Sequence, residues 1–216
     1  NYQYDYDILP GDEPDLKRGF NIFEERENTD NETIISSFNS IFDTELRFND
    51  QWKLSSQVGI QWDQSSQEQY VGENTFNMRN IREDSSYDEN QYIVPKGGMH
   101  TVNNATTSQI TWKVQGEYKN TFNDIHDIQI MAGSEIRKNW YNTQFTAGYG
   151  YDPKTLTTKP LNIRNDKDAE KYKLHTKTYQ ENAFASFYTT GSYSFMSRYT
   201  IGGSVRMDGS DLFGVD

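Results

Sequence analysis

The chain has 216 residues, 21 Lys and Arg against 32 Asp and Glu for a formal charge of −11, and no cysteine. Disulfide frameworks and thiolate metal sites are thereby excluded, and the acidity argues against a nucleic-acid partner, because binding phosphates needs a net basic face. Hydrophobic residues make up 33% and aromatics 14%, so aliphatic core material is scarce and ring surface abundant; no run of about 18 apolar residues could form a spanning helix, which leaves spanning strands open.

The opening Asn1-Tyr2-Gln3-Tyr4-Asp5-Tyr6 carries no basic stretch followed by an apolar one, so an export signal is expected to lie outside this sequence. Its tyrosines alternate and read as the top of a truncated strand. Six longer segments then repeat a period of two, apolar on one parity and polar on the other, the pattern of strands with two different faces. Residues 33–48 set Ile34, Phe38, Phe42, Leu46 and Phe48 against Asn39, Asp43, Glu45 and Arg47. Residues 52–64 set Trp52, Leu54, Val58, Ile60 and Trp62 against Lys53, Gln57, Gln61 and Asp63. Residues 107–119 carry Ile110, Trp112, Val114 and Tyr118 opposite Lys113, Gln115 and Glu117, and residues 126–138 carry Ile128, Ile130, Ala132 and Ile136 opposite Asp127, Glu135 and Arg137. In residues 182–195, Ala183, Ala185, Phe187, Tyr193 and Phe195 alternate with Ser186, Thr190 and Ser192; in residues 198–210, Tyr199, Ile201 and Val205 alternate with Thr200, Ser204 and Arg206.

The connections alternate between short and long. Residues 49–51, 120–125 and 196–197 are short links; residues 8–32, 65–106 and 139–181 are long ones, rich in Asn, Asp, Gly, Ser and Tyr. With consecutive strands antiparallel, all short links fall at one end of the sheet and all long ones at the other, the layout of tight periplasmic turns and long extracellular loops in outer-membrane barrels.

Alternation alone fits a soluble sheet as well as a membrane wall. Aromatic spacing separates them: Trp52 and Trp62 lie ten residues apart on one parity, which on a tilted strand spans roughly 25 Å, the height of a lipid-facing band between two girdles. Phe38 and Phe48 repeat the spacing. Phe48, Trp52, Tyr118, Phe195 and Tyr199 gather near the short turns, where amphipathic rings favour the headgroup level; together with Trp62 they form the expected lipid-facing girdle. The opposite parity holds Lys53, Asp63, Lys113, Glu117, Asp127, Glu135 and Arg137 and must meet water or a polar filling. Six or seven strands cannot close a bacterial barrel, and an open edge in hydrocarbon leaves backbone groups unpaired. The expected fold is therefore all-β: an antiparallel transmembrane β-barrel section, with residues 1–216 forming part of a single larger barrel domain.

The last third adds a specific resemblance. Glu181 and Asn182 open a strand, Arg198-Tyr199 starts the next after a short turn, and Ser204-Val205-Arg206-Met207-Asp208-Gly209-Ser210-Asp211-Leu212-Phe213-Gly214 runs out to a loop. In these elements the sequence resembles the SusC/RagA family, TonB-dependent nutrient transporters of Bacteroidetes outer membranes. The resemblance implies uptake of oligosaccharides or oligopeptides, a SusD-like surface lipoprotein as lid, and energy from the TonB complex acting through a plug that this sequence does not contain. Outer-membrane lipid and lipopolysaccharide are the implied surroundings. It implies no enzyme and no cofactor.

Single motifs add little. Asp208-Gly209-Ser210 reads as a turn former. The carboxylates of 166–170 and 84–89 lack the spacing of a calcium loop, and His100, His126 and His175 have no paired zinc spacing, so no metal site is expected. Gly148-Tyr149-Gly150-Tyr151-Asp152-Pro153 lacks the further glycine and helix of a phosphate loop. The third long loop carries Trp140, Tyr149 and Tyr151, aromatic faces suited to stacking on sugar rings or peptide side chains, and these are the candidate ligand or lid contacts. Residues 8–32 hold eight acids and three bases and residues 63–106 seven and three, so −5 and −4 give −9 of the net −11; complementary contact with a partner or with cation-bridged lipopolysaccharide follows as an expectation. Two other classes fit part of this pattern: a soluble, secreted all-β glycan-binding module, with the apolar parity as its core, and a passive porin without plug or lid.

Overall fold

The computed structural model describes residues 20–211. In chain order the elements are α1 (Ile22–Glu27), β1 (Thr29–Arg47), β2 (Trp52–Val71), α2 (Phe76–Glu83), β3 (Ser86–Asp88), β4 (Gln91–Tyr92), β5 (Gly98–Phe122), β6 (His126–Tyr151), α3 (Asp166–Lys171), β7 (His175–Phe195) and β8 (Tyr199–Ser210). Six long strands form one sheet in the order β1-β2-β5-β6-β7-β8, a meander in which each strand neighbours the next; β3 and β4 form a separate hairpin. Strand makes up 68% and helix 11% of the structure, against a usual 20–25% strand, so the chain is all-β. The sheet does not close on itself. The tyrosines at 2, 4 and 6, and Phe213 and Gly214 of the motif, lie outside the described residues.

Turn chemistry explains the three tight ends. Asn49 Oδ1 accepts from the backbone N–H groups of Gln51 (2.9 Å) and Trp52 (2.8 Å), a side chain standing in for a turn carbonyl. Asn123 and Asp124 have φ of 51° and 59°, and Met196 and Ser197 have 51° and 55°, paired left-handed conformations whose twist matches that of the flanking strands. Between β7 and β8 the register runs from Phe195 opposite Tyr199 to Phe184 opposite Ser210. Asp208-Gly209-Ser210 is therefore strand, not the expected turn: its residues pair with Ser186, Ala185 and Phe184.

The strands outrun their sequence pattern. β5 has 25 residues and β6 has 26, against the 13 expected for each, so much of the long links predicted at 65–106 and 139–181 is strand. The added stretches, 98–106 and 139–151, are rich in Asn, Thr, Gly and Tyr. Backbone pairing continues there while the apolar parity stops, and hydrophobic alternation marks only a strand with one greasy face.

The chain divides into two compact units. The short-turn unit (residues 36–64, 106–142 and from 179 on) holds the three tight turns and the alternating strand stretches. The loop-bearing unit (residues up to 35, 65–105 and 143–178) holds the helices, the β3–β4 hairpin and the remaining strand stretches. Val71, Met78, Ile93, Val94 and Tyr172 form its core, flanked by Ile81, Tyr87, Met99, Tyr149 and Leu161. Local signals fix the elements around it. Thr75 Oγ1 caps α2 through the Met78 N–H, and Asn165 Oδ1 caps α3 through the Asp168 N–H. Buried Ser85 accepts from the Val94 N–H at 3.1 Å and donates to the Arg82 carbonyl at 2.6 Å, so a polar group in the core is satisfied. At Gly97 an added Cβ would stand 2.7 Å from the Gly150 backbone, which holds φ +62°; only glycine admits that approach.

Candidate functional site

In the short-turn unit the two parities differ as the alternation requires. Trp52, Trp62 and Trp112 are 51%, 37% and 49% exposed, and with them Phe38, Phe42, Phe187, Ile201 and Val205 are exposed. Among the residues expected to form a girdle, Phe48 and Tyr199 are exposed, Trp52 meets Tyr118 with ring centroids 4.7 Å apart, and Phe195 lies opposite Tyr199. His126 joins them, its ring 5.4 Å from Phe195 and its Nδ1 2.6 Å from the Tyr193 hydroxyl. His126 is absent from the expected girdle, although it shares the parity of Ile128 and sits beside a tight turn.

The polar parity is a connected ladder. Lys53 Nζ lies 3.0 Å from Glu117 and 3.7 Å from Glu45, which also receives Arg47 Nε at 2.8 Å. Gln57 donates to Asp43, Gln115 to Glu117, and the Tyr188 hydroxyl to Gln115. Lys113 and Arg206 lie over the Tyr188 ring at 5.8 and 5.9 Å. A recess of about 400 Å³ opens between Asp43, Glu45, Lys53, Gln57, Lys113 and Gln115. With opposite charges already paired, this surface can meet water or a polar filling without stranded charge.

The motif residues are cross-strand staples. Glu181 pairs with Lys138 at 3.2 Å and accepts from the Tyr179 hydroxyl at 2.9 Å. Arg206 Nε bonds both oxygens of Asp208, and its Nη2 reaches Ser186 Oγ on β7 at 3.1 Å. Asn182 is buried, Arg198 closes the β7–β8 turn by donating its N–H to the Phe195 carbonyl, and Ser204 stands opposite Thr190.

The three candidate contacts do not form one patch, and none lies in an irregular loop: all are on β6. Trp140 belongs to the short-turn unit, with Lys138 Nζ 5.4 Å from its ring. Tyr149 packs against the loop-bearing unit's core, 6.1 Å from Tyr172 edge to face, and burial raises its hydroxyl above the usual phenol range, with Tyr172 adding to the rise. Tyr151 stacks on His100 with centroids 4.8 Å apart and meets the Tyr70 ring at 5.7 Å. These rings border a recess of about 240 Å³ together with Asp30, Glu32 and Glu68. His100 Nε2 stands 2.6 Å from Glu68 Oε1. Burial raises the Tyr70 hydroxyl, and Tyr151, Asp152 and Glu73 push it the same way. Sequence reading missed Asp30, Glu32, Glu68, Tyr70 and His100 as a group; carrying the even parity of 34–48, 52–64 and 107–119 outward along each strand would have lined them up. No cluster of three His, Asp or Glu able to hold a metal ion occurs among the described residues.

No protein-family model matches the chain. It is 30% identical over 99 residues to TonB-dependent receptor P39 of Formosa agariphila, a span covering 45% of the chain and 9% of that receptor. Its fold matches the structure of the RagAB peptide transporter with a TM-score of 0.69 at 17% identity, over 88% of this chain and 19% of that one. The sheet thus has the fold of part of a transporter β-barrel. The RagAB peptide importer in its open-open state matches with a TM-score of 0.67 at 17% identity, over 87% of this chain and 19% of that one. The resemblance to SusC/RagA-type TonB-dependent transporters thus rests on sequence and on fold together. Its bacterial relative is consistent with a Bacteroidetes source, and the proteins it resembles are transporters, not enzymes. The chain spans under a tenth of the receptor and about a fifth of the transporter chains it matches.

Proposed function

We propose that this chain is part of the wall and rim of a TonB-dependent importer in a bacterial outer membrane, with its apolar parity on lipid, its polar ladder toward the bore and its loop-bearing unit extracellular. One observation carries the reading. All six buried hydrophobic residues of the described chain, Val71, Met78, Ile93, Val94, Ala147 and Tyr172, belong to the loop-bearing unit. The short-turn unit has none, yet it exposes five phenylalanines, three tryptophans and a run of aliphatic side chains. A surface that greasy is far beyond the apolar patches of soluble proteins and needs a nonaqueous neighbour. A soluble glycan-binding module would bury this parity in a core, and no second layer covers it among the described residues.

The cargo is an oligosaccharide or oligopeptide, and a SusD-like lipoprotein lid sits on the loop-bearing side. TonB acts through the plug elsewhere in the whole protein, and lipopolysaccharide surrounds the rim. Trp140, Tyr149 and Tyr151 are the candidate ligand or lid contacts, Tyr151 the best placed because it borders a recess while Tyr149 serves the core. Reconstitution of the full-length receptor with lipids brominated along their acyl chains tests the orientation: Trp52, Trp62 and Trp112 fluorescence is quenched if the apolar parity faces lipid, and unquenched emission rejects the wall. Unchanged uptake and lid association after Trp140→Ala, Tyr149→Ala and Tyr151→Ala together would remove those contacts from the proposal.

A further inference from the structure

Each pair of neighbouring strands needs a register, and tight turns set it where they occur. The left-handed residues Asn123-Asp124 and Met196-Ser197 fix how β5 pairs with β6 and β7 with β8. Between β6 and β7 the link runs over residues 152–174, too long to dictate which residue faces which. Alternation does not dictate it either. A slip by one residue would turn the apolar parity of β7 onto the polar face, but a slip by two leaves both faces intact, so parity forbids the first and permits the second.

One contact on the polar face forbids the second. Tyr188 of β7 lies across Gly133 of β6: a Cβ at 133 would stand 2.5 Å from the Tyr188 hydroxyl oxygen, 2.6 Å from Cζ and 2.8 Å from Cε2. The hydroxyl reaches past β6 and donates to Gln115 Oε1 of β5 at 3.3 Å. Lys113 of β5 and Arg206 of β8 stand over the ring at 5.8 and 5.9 Å, so this one side chain engages β5, β6 and β8. Two residues either way along β6 the ring would meet Met131 or Glu135, whose side chains fill the space that glycine leaves open. The other β6–β7 contacts discriminate less. Lys138 with Glu181 at 3.2 Å and Arg137 over Phe184 at 5.1 Å use long, flexible cations that can follow a shift.

We infer that Tyr188 and Gly133 are a knob and groove that lock the register of the β7–β8 hairpin against β5–β6, with Tyr188 as the positioning residue. A two-residue slip would carry Arg206 and Asp208 past Lys113 and Gln115 and unpick the polar ladder. With the lock in place, the 152–174 link is released from setting register and its sequence is free to meet other demands. The lock depends on the polar face alone, whichever medium the apolar face meets.

Disulfide trapping in the full-length receptor, refolded into liposomes, reads the register, since this chain has no cysteine of its own. Arg137→Cys with Phe184→Cys reports the native alignment; Arg137→Cys with Asn182→Cys or Ser186→Cys reports a slip of two in either direction. With Tyr188 and Gly133 intact, the native pair should dominate. Tyr188→Ala and Gly133→Ala should each raise the slipped cross-links about tenfold, the order expected from losing or overpacking one close-packed ring. Tyr188→Phe keeps the ring and should keep the register. Moving the groove is the sharper arm: Met131→Gly/Gly133→Ala should shift the main cross-link of position 137 from 184 to 182. Slipped cross-links unchanged in Tyr188→Ala and Gly133→Ala, a moved groove that still cross-links at 184, or a Tyr188→Phe that slips as Tyr188→Ala does, each overturns the lock. Where Tyr188→Ala fails to insert, Tyr188→Leu and the moved groove give the same readout. The cross-links report register and not orientation, so the lock and the lipid-facing wall proposed above can fail separately.

Discussion

The short-turn and loop-bearing units are built from the same long strands and stabilised by different means. In the loop-bearing unit apolar side chains turn inward onto Met78 and Val94, which are 1% and 0% exposed, and polar groups at the centre, such as Ser85, are paired. In the short-turn unit the order is inverted: rings and aliphatic groups stand outside, and the charges of Lys53, Glu117, Glu45 and Arg206 are knitted together on the other face. The first arrangement is water's answer to a hydrophobic sequence, and the second is the one proposed above to face a bilayer. An identical substitution is therefore expected to have opposite consequences in the two units.

The contrast can be broken from several directions. The largest effect is expected at Met78, where Met78→Ala removes a fully buried side chain at a cost of about 2–5 kcal/mol. Limited proteolysis of the full-length receptor should show faster cleavage within residues 72–97 while the wall resists; a stable 72–97 segment would count against a self-contained core there. Next comes Val205→Arg, an exposed apolar position that should cost about 2–4 kcal/mol near the bilayer midplane, with Thr200→Arg on the opposite parity costing far less. Refolding titrations into liposomes measure both, and equal costs would contradict the two-faced wall.

At Gly133 an added Cβ would stand 2.5 Å from the Tyr188 hydroxyl oxygen, so the Tyr188 ring lies across the glycine. Gly133→Val should cost roughly 1–3 kcal/mol by overpacking, and Gly133→Val/Tyr188→Ala should recover part of it in the same titration. The smallest effect concerns pH. The Tyr149 hydroxyl is raised by burial in the loop-bearing core. A raised phenol binds its proton more tightly folded than unfolded, so its contribution is complete below the ordinary value of about 10 and is lost as pH climbs through the folded value. Hydrogen exchange around Tyr172 should quicken in that alkaline range, and Tyr149→Phe should flatten the response without altering the short-turn unit.

The strands were legible where one face is greasy. Residues 52–64 show an alternation from Trp52 to Trp62, and the structure has β2 from Trp52 to Val71. The pattern failed beyond that band. Residues 139–151 read as loop because Asn, Thr and Gly carry no parity, yet they continue β6, since strand pairing depends on backbone groups that every residue but proline supplies. Asp208-Gly209-Ser210 misled in the same way: turn-forming side chains were overruled by the ladder with β7. The recess was the least legible feature, because Asp30, Tyr70, His100 and Tyr151 are far apart in sequence and meet only through register.

What the sequence determined by itself was the fold class, the two faces and the alternation of short and long links, because a period of two and the placement of turn residues are local properties of a strand facing two media. Tertiary structure alone decided how far each strand runs, that the long links condense around Met78 and Val94, and that a tyrosine expected to wait in a loop for a ligand is held in a core. Those outcomes depend on which distant backbones and side chains come to lie side by side, and no local pattern encodes that adjacency.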